Sequence, residues 1–204
     1  MKNILFVILF CLAIACQPTE QLHEEVAEKS DTNWHFQNFE KVDSLNPILS
    51  PSADLEFTDP ITKEVVKWEE RNVLNPTALV RNDTVFLLYR AQDLNGTSRI
   101  GMAVSTDGLN FTKQATPIFY PDNDDMKINE WNYKKSESEQ VNSEECYFCY
   151  FDGVEDPRII MNDQGVYFMT YTSYDGKTAR LSIASSKDLK IWTKHGLVLS
   201  GEEY

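Results

Sequence analysis

Two carboxylates stand side by side at Glu155-Asp156, followed by Pro157 and Arg158. A carboxyl group that holds a proton can deliver it to a leaving oxygen, and a neighbouring negative charge helps it keep that proton. Upstream, Arg90, Asp93 and Arg99 lie within one short stretch. An Arg beside an Asp offers donors and acceptors in fixed geometry, which suits a ligand rich in hydroxyls. Asn75 precedes Pro76 as Asp156 precedes Pro157, so the two share a local pattern. A following proline biases Asp156 toward extended backbone, which would aim its side chain away from the strand.

Other residues invite chemistry and support it less well. Asp122, Asn123, Asp124 and Asp125 have the look of a calcium loop but lack its Gly and its terminal Glu. They are expected to form a solvated loop. Cys146 and Cys149 make a lone C-x-x-C with no second ligand pair, and His195 is the nearest His. A disulfide or two unpaired thiols is expected there, with no metal and no organic cofactor. His23 lies in the polar stretch before the folded domain, and His35 and His195 read as structural. Trp68, Trp131 and Trp192 could stack on a flat ligand face.

The elements that position these residues follow from an internal repeat. Shifted by 81 residues, Arg99–Lys113 lies on Arg180–Lys194 without a gap, with identities at Arg99/Arg180, Ala103/Ala184, Ser105/Ser186, Asp107/Asp188, Thr112/Thr193 and Lys113/Lys194. Phe111 falls on Trp192, which makes Trp192 core rather than a ligand platform. Each copy runs from an extended segment (Thr84–Tyr89; Val166–Tyr171) through a turn (Asp93–Gly96; Asp175-Gly176) to an alternating strand. An Asp-containing turn and an aromatic-led strand follow. These are antiparallel meanders of short strands, an all-β reading. Residues 121–150 have no counterpart in the second copy, and without them the repeat is 51 residues. That is close to one blade of a β-propeller, with a β-sandwich as the runner-up.

Composition closes off other classes. The chain has 204 residues, 42% of them apolar and 25% charged, the balance of a globular domain. Its net charge of −13 argues against nucleic acid as a partner. Residues 1–15 carry Lys2 and then an uncharged apolar run, too short to span a bilayer and laid out as a secretory signal. Ala13-Ile14-Ala15-Cys16 resembles a bacterial lipobox, with Cys16 as the acylated residue. Residues 16–32 read as a polar tether, and 33–204 as the folded domain with its insertion at about 121–150. The expected location is the bacterial cell envelope, lipid-anchored on the periplasmic side or at the outer-membrane surface.

Gly153-Val-Glu-Asp-Pro-Arg-Ile159, taken with Arg90-Ala-Gln-Asp93 and Ser98–Gly108, resembles glycoside hydrolase family 130. Asn46–Leu49, Arg71–Pro76, Tyr120–Asp124, Tyr171–Arg180 and Ser186–Gly196 match in colinear order. That family contains β-mannoside phosphorylases and β-mannosidases on a five-bladed propeller. The resemblance implies an inverting enzyme on β-mannoside oligosaccharides, with Asp156 as the acid, acting in the phosphorylases through a sugar hydroxyl. It implies substrate contacts from Asn75, Arg90, Asp93, Arg99, Asp122, Arg158 and Arg180. Inorganic phosphate would be a co-substrate if the enzyme were a phosphorylase. The expected extent is the first two to three blades, with the phosphate site or second carboxylate on later ones. Hydrolysis is favoured because an anchored enzyme outside the inner membrane would lose a sugar phosphate. The alternatives are a phosphorylase, or an inactive carbohydrate-binding lipoprotein.

Overall fold

The computed structural model describes residues 42–136 and 150–199. The leader, the tether, Cys16, Cys146 and Cys149 lie outside the described residues. A two-stranded antiparallel hairpin comes first, β1 (Ser52–Thr58) with β2 (Val65–Glu69). Its turn is closed by Asp59, whose Oδ1 accepts the backbone N–H of Ile61 and Thr62 at 2.9 and 3.0 Å.

Two four-stranded meanders follow. The first is β3 (Asn72–Arg81), β4 (Thr84–Gln92), β5 (Thr97–Ser105) and β6 (Thr112–Lys113); the second is β7 (Asp152–Met161), β8 (Tyr167–Tyr174), β9 (Ala179–Ser186) and β10 (Trp192–Leu197). Neighbours within each meander are antiparallel, and β5 meets β7 in parallel at Thr97–Asp152 and Ser98–Gly153. Each strand of the second meander sits on its partner shifted by 81 residues, so the repeat in the sequence is a repeat of blades. The all-β reading holds: the chain forms part of a five-bladed β-propeller, and the sandwich alternative is set aside.

The strands form because their side chains alternate between two packed faces. From one face of β4 and β5, Leu88, Ile100 and Met102 pack with Val154, Tyr167, Met169 and Tyr171 of the second blade. From the other face, Tyr89, Ala91 and Ala103 pack with the buried Trp68 of β2. Each Leu, Ile, Val or Met side chain among these, taken fully out of water, contributes roughly 1.5–3 kcal/mol. Trp68 donates its indole N–H to the Ala115 carbonyl at 3.1 Å and belongs to the core. Gly153 is required where the blades meet: its φ is +115°, and a Cβ there would lie 2.2 Å from the Ser98 carbonyl oxygen.

The repeat also reproduces its polar details. Ser105 and Ser186 donate to Asp107 and Asp188 at 2.8 and 3.1 Å, and each Asp then accepts two backbone N–H groups of the turn. Those amides hold both carboxyls below the usual carboxylate range. Lys113 and Lys194 each reach a buried glutamate that also accepts a tyrosine hydroxyl. In the first blade Lys113 pairs with Glu69, which accepts from Tyr89 at 2.7 Å. In the second, Lys194 pairs with Glu130 at 2.5 Å, which accepts from Tyr171 at 2.8 Å.

This second pair draws its glutamate from the inserted stretch. Glu130 belongs to the short helix α1 (Lys127–Glu130) and is fully buried, so residues 121–136 are built into the second blade. The Asp122–Asp125 stretch is a largely exposed loop, as expected. Asp124 pairs with Lys194 at 3.0 Å and accepts the Met126 N–H at 2.9 Å, because the repeat's lysine needs counterions on this side too. Among the described residues no helix is long and apolar enough to cross a membrane.

Candidate active site

Asp156 sits on a bulge of β7, where the register with β8 slips between Glu155 and Arg158. Asn75 occupies the equivalent bulge of β3, between Leu74 and Thr77. Both have left-handed backbone, φ +52° for Asp156 and +48° for Asn75. The extended conformation expected before Pro157 is therefore wrong. Proline crowds the right-handed helical region of the preceding residue, which still leaves it the left-handed one. Asp and Asn enter that region more readily than other side chains, and a bulge uses it to turn one side chain off the strand.

The two bulges bring their side chains together. Asn75 Nδ2 donates to Asp156 Oδ1 at 2.7 Å, and Arg90 Nη1 approaches the same oxygen at 3.4 Å. Oδ2 accepts no hydrogen bond from the described residues, and the Asp156 side chain is 36% exposed. One carboxyl oxygen is thus held, and the other has no hydrogen bond among the described residues.

Beneath Asp156 lies a polar network. Arg90 Nη2 contacts Glu155 Oε1 at 2.6 Å, and its Nε donates to Ser98 Oγ at 3.1 Å. Ser98 Oγ donates to Glu155 Oε1 at 3.1 Å and accepts from Gln92 Nε2 at 3.3 Å; Asn72 Nδ2 donates to Gln92 Oε1 at 2.9 Å. Burial pushes the Glu155 carboxyl up, Arg90 and Ser98 oppose this without cancelling it, and Asp156 and Asp152 add to the upward push. The reading of the sequence did not single out Asn72, Gln92 and Ser98 as site residues. A signal for them existed: Arg90 and Gln92 share a strand face, and hairpin register sets Ser98 opposite Gln92.

The other expected residues are placed elsewhere. Arg99 is 1% exposed, with Nη1 on Asp93 at 2.7 Å and Nη2 on Asp59 at 2.6 Å. Asp93 Oδ1 also accepts the Thr97 N–H at 2.9 Å, closing its own turn. Burial works to raise the Asp59 carboxyl, but Arg99 and the Ile61 and Thr62 amides outweigh it and hold it low. Arg180 repeats this arrangement nearer the surface, pairing with Asp175 at 2.8 Å. Arg158 is exposed and donates to the Pro157 carbonyl at 2.7 Å, not to Asp156. Asp122 borders a hollow of about 410 Å³ beside Phe119, Met126 and Trp192. Asp93 and Arg99 border another of about 320 Å³, on the opposite face of β4–β5 from the Asp156 network, with Trp131, Lys135 and Tyr150 on its walls. The structure gathers Asn75, Arg90 and Asp156 into one site. Among the described residues no hydrogen bond joins Asp93, Arg99, Asp122, Arg158 or Arg180 to Asp156. His195 bonds Ser185 Oγ through Nε2 at 2.7 Å, a structural role.

Comparison with known proteins follows the same lines. The sequence model of a family described as β-1,4-mannooligosaccharide phosphorylase matches residues 37–204. A 1,2-β-oligomannan phosphorylase from Thermoanaerobacter is 31% identical over 166 residues, covering 76% of this chain and 44% of that protein. A crystal structure of a glycosyl hydrolase from Bacteroides ovatus is 40% identical with a TM-score of 0.69, covering 81% of this chain and 43% of the other. A further solved member of the GH130 mannoside phosphorylases, which include hydrolases that target β-1,2 mannosidic linkages in Candida mannan, is 38% identical with a TM-score of 0.71, covering 84% and 44%. The chain spans less than half the length of the relatives it matches.

Proposed function

We propose, for a chain that belongs to glycoside hydrolase family 130, that its protein cleaves β-mannosidic bonds with Asp156 as the general acid. The observation that carries this reading is the Asp156 carboxyl: Oδ1 is fixed by Asn75, Oδ2 accepts no hydrogen bond among the described residues, and the side chain is partly exposed. A general acid needs that division, with one oxygen setting the orientation and the other holding the proton for the departing sugar oxygen. Asn75 and Arg90 stand where they can also grip hydroxyls of the sugar at the cleavage point.

Water is the proposed nucleophile, arriving on the opposite face of the ring and inverting the anomeric centre. Inversion needs roughly 6.5–9.5 Å between the acid and the group that activates the water, room that a phosphate could also use. The glycosyl hydrolase from Bacteroides ovatus supports hydrolysis by its 40% identity, against 31% for the phosphorylase from Thermoanaerobacter. β-1,2-Linked mannosides are the proposed substrates, after the linkage named for several relatives. The leader ending at Cys16 supports a lipid-anchored place in the cell envelope. Phosphorolysis is the second reading, favoured by the names of both curated relatives.

The complete protein, incubated with β-1,2-mannobiose with and without inorganic phosphate, separates these readings. Free mannose at a rate independent of phosphate supports hydrolysis, with the inverted anomer visible by NMR before mutarotation. Mannose 1-phosphate that forms only with phosphate supports the second reading. Failure to cleave any β-mannoside would remove both.

A further inference from the structure

We propose that Glu155 is a positioning residue for the Asp156 acid: by pairing with Arg90 it offsets the guanidinium charge that would otherwise strip Asp156 of its proton. The inference rests on reading Asp156 as the general acid.

The Arg90 guanidinium is shared by two carboxylates, and unequally. Its contact with Glu155 is 2.6 Å and its contact with Asp156 is 3.4 Å. The Glu155 side chain is 11% exposed against 36% for Asp156, so the short contact is also the better shielded one. Ser98 completes the clamp by bonding both Arg90 Nε and Glu155 Oε1. Rotation of the guanidinium toward Asp156 would break its contacts with Glu155 and Ser98. An uncompensated Arg this close lowers an aspartic acid by about one to three pH units, which would disable a proton donor at neutral pH. Paired with Glu155, Arg90 presents Asp156 with a dipole, and it can still orient the carboxyl.

The other charged groups around this pair are few. Asp152 of β7 adds to the upward push on the Glu155 carboxyl, and burial together with the Glu155 charge raises the Tyr174 hydroxyl of β8. From β3, Asp156 receives the neutral Asn75, and Arg158 turns to its own backbone. Among the described residues, Arg90 is therefore the cation paired with the acid, and Glu155 is its closer carboxylate partner. Burial raises the Glu155 carboxyl, and the Arg90 charge and the Ser98 hydroxyl work against that rise in favour of the ionised form.

The test uses the complete protein labelled with ¹³C at the Asp and Glu carboxyls, the Asp156 signal being assigned by its loss in Asp156→Asn. Glu155→Gln should lower the Asp156 titration midpoint by about one unit or more. It should move the alkaline limb of kcat on β-1,2-mannobiose down equally, with KM little changed and activity regained at lower pH. Glu155→Asp, which keeps the charge, should restore most of the midpoint. An unchanged midpoint in a folded Glu155→Gln overturns the proposal. So does an equal loss of kcat at every pH in both variants. If Glu155→Gln does not fold, the wild-type curves decide: the Asp156 signal should show a second inflection at the Glu155 midpoint, and a single-step curve overturns the proposal. The titration needs no turnover, so a protein that cleaves no β-mannoside would defeat the proposed function separately.

Discussion

Asn75 and Asp156 lie 81 residues apart and touch, Asn75 Nδ2 donating to Asp156 Oδ1 at 2.7 Å. They are the same position in two consecutive blades. Each precedes a proline, each has positive φ, and each sits on a bulge of the first strand of its blade. A repeat that serves to stack blades thus also delivers two polar side chains to one point. In the first blade the residue is an amide, which can donate. In the second it is a carboxyl, which can accept that bond and still carry a proton. The chemical difference between two otherwise equivalent residues makes the site.

In the complete protein, Asp156→Asn should abolish β-mannoside cleavage and leave the melting temperature within about 2 °C of wild type. Asn keeps the left-handed backbone and can still bond, but it delivers no proton. General acid catalysis is worth about 10²–10⁴-fold, so kcat should fall at least a hundredfold with little change in KM. Steady-state kinetics check this, and a tenfold or smaller loss would take Asp156 out of the acid role.

Two substitutions at Asn75 separate its bond from its backbone. Asn75→Gly and Asn75→Ala both remove the donor to Asp156, and each should lower kcat by about tenfold, one hydrogen bond being worth roughly 1–1.5 kcal/mol. Alanine alone pays for the left-handed φ, about 1–2 kcal/mol. Chemical denaturation should show Asn75→Ala less stable than Asn75→Gly by that amount. Equal stability of the two would contradict the conformation at this bulge.

Arg99 and Arg180 occupy one repeat position and should answer differently to truncation. Arg99→Ala leaves Asp59 and Asp93 buried without a cation, a loss of about 3–5 kcal/mol. Arg180→Ala breaks a pair whose Arg is 30% exposed, and less than about 1 kcal/mol is expected. Urea denaturation of the two variants measures the contrast. Similar losses would mean that Arg99 is not the buried centre of that cluster.

Glu130 gives the fold a pH dependence. Burial pushes its carboxyl up to about 7, against the pull of Lys194 and Tyr171. Its native-state midpoint therefore lies above the ordinary glutamate value of about 4.3 in an unfolded chain. Between those values the native state binds the proton more tightly, so this contribution is full below about pH 4 and is lost as pH rises through 7. Glu130→Gln should flatten that part of the stability profile. Thermal melts from pH 4 to 8 test it, and an unaltered slope in the variant would assign the dependence to another group.

Sequence alone determined the blade and its repeat. The extended apolar runs Thr84–Tyr89 and Val166–Tyr171 are a local property, and the 81-residue match carries the pattern from one blade to the next. The turn chemistry of Ser105-x-Asp107 and Ser186-x-Asp188 is equally local and came out alike in both copies. Asp156, Asn75 and Arg90 could be singled out for the same reason, since short motifs mark them.

Tertiary structure decided what those residues face. Nothing near Lys113 or Lys194 in the sequence names Glu69 or Glu130 as their counterions, because each glutamate comes from an element outside the repeat and is chosen by packing. Arg99 and Arg180 are alike in the sequence, yet the β1–β2 hairpin buries the first beneath Asp59 and leaves the second near water. The left-handed φ of Asp156 was misread for a related reason. A following proline speaks about sterics inside one dipeptide, whereas the bulge is set by register between β7 and β8. Long-range pairing chooses among conformations that local sterics leave open, and here it chose the one that points a carboxyl at Asn75.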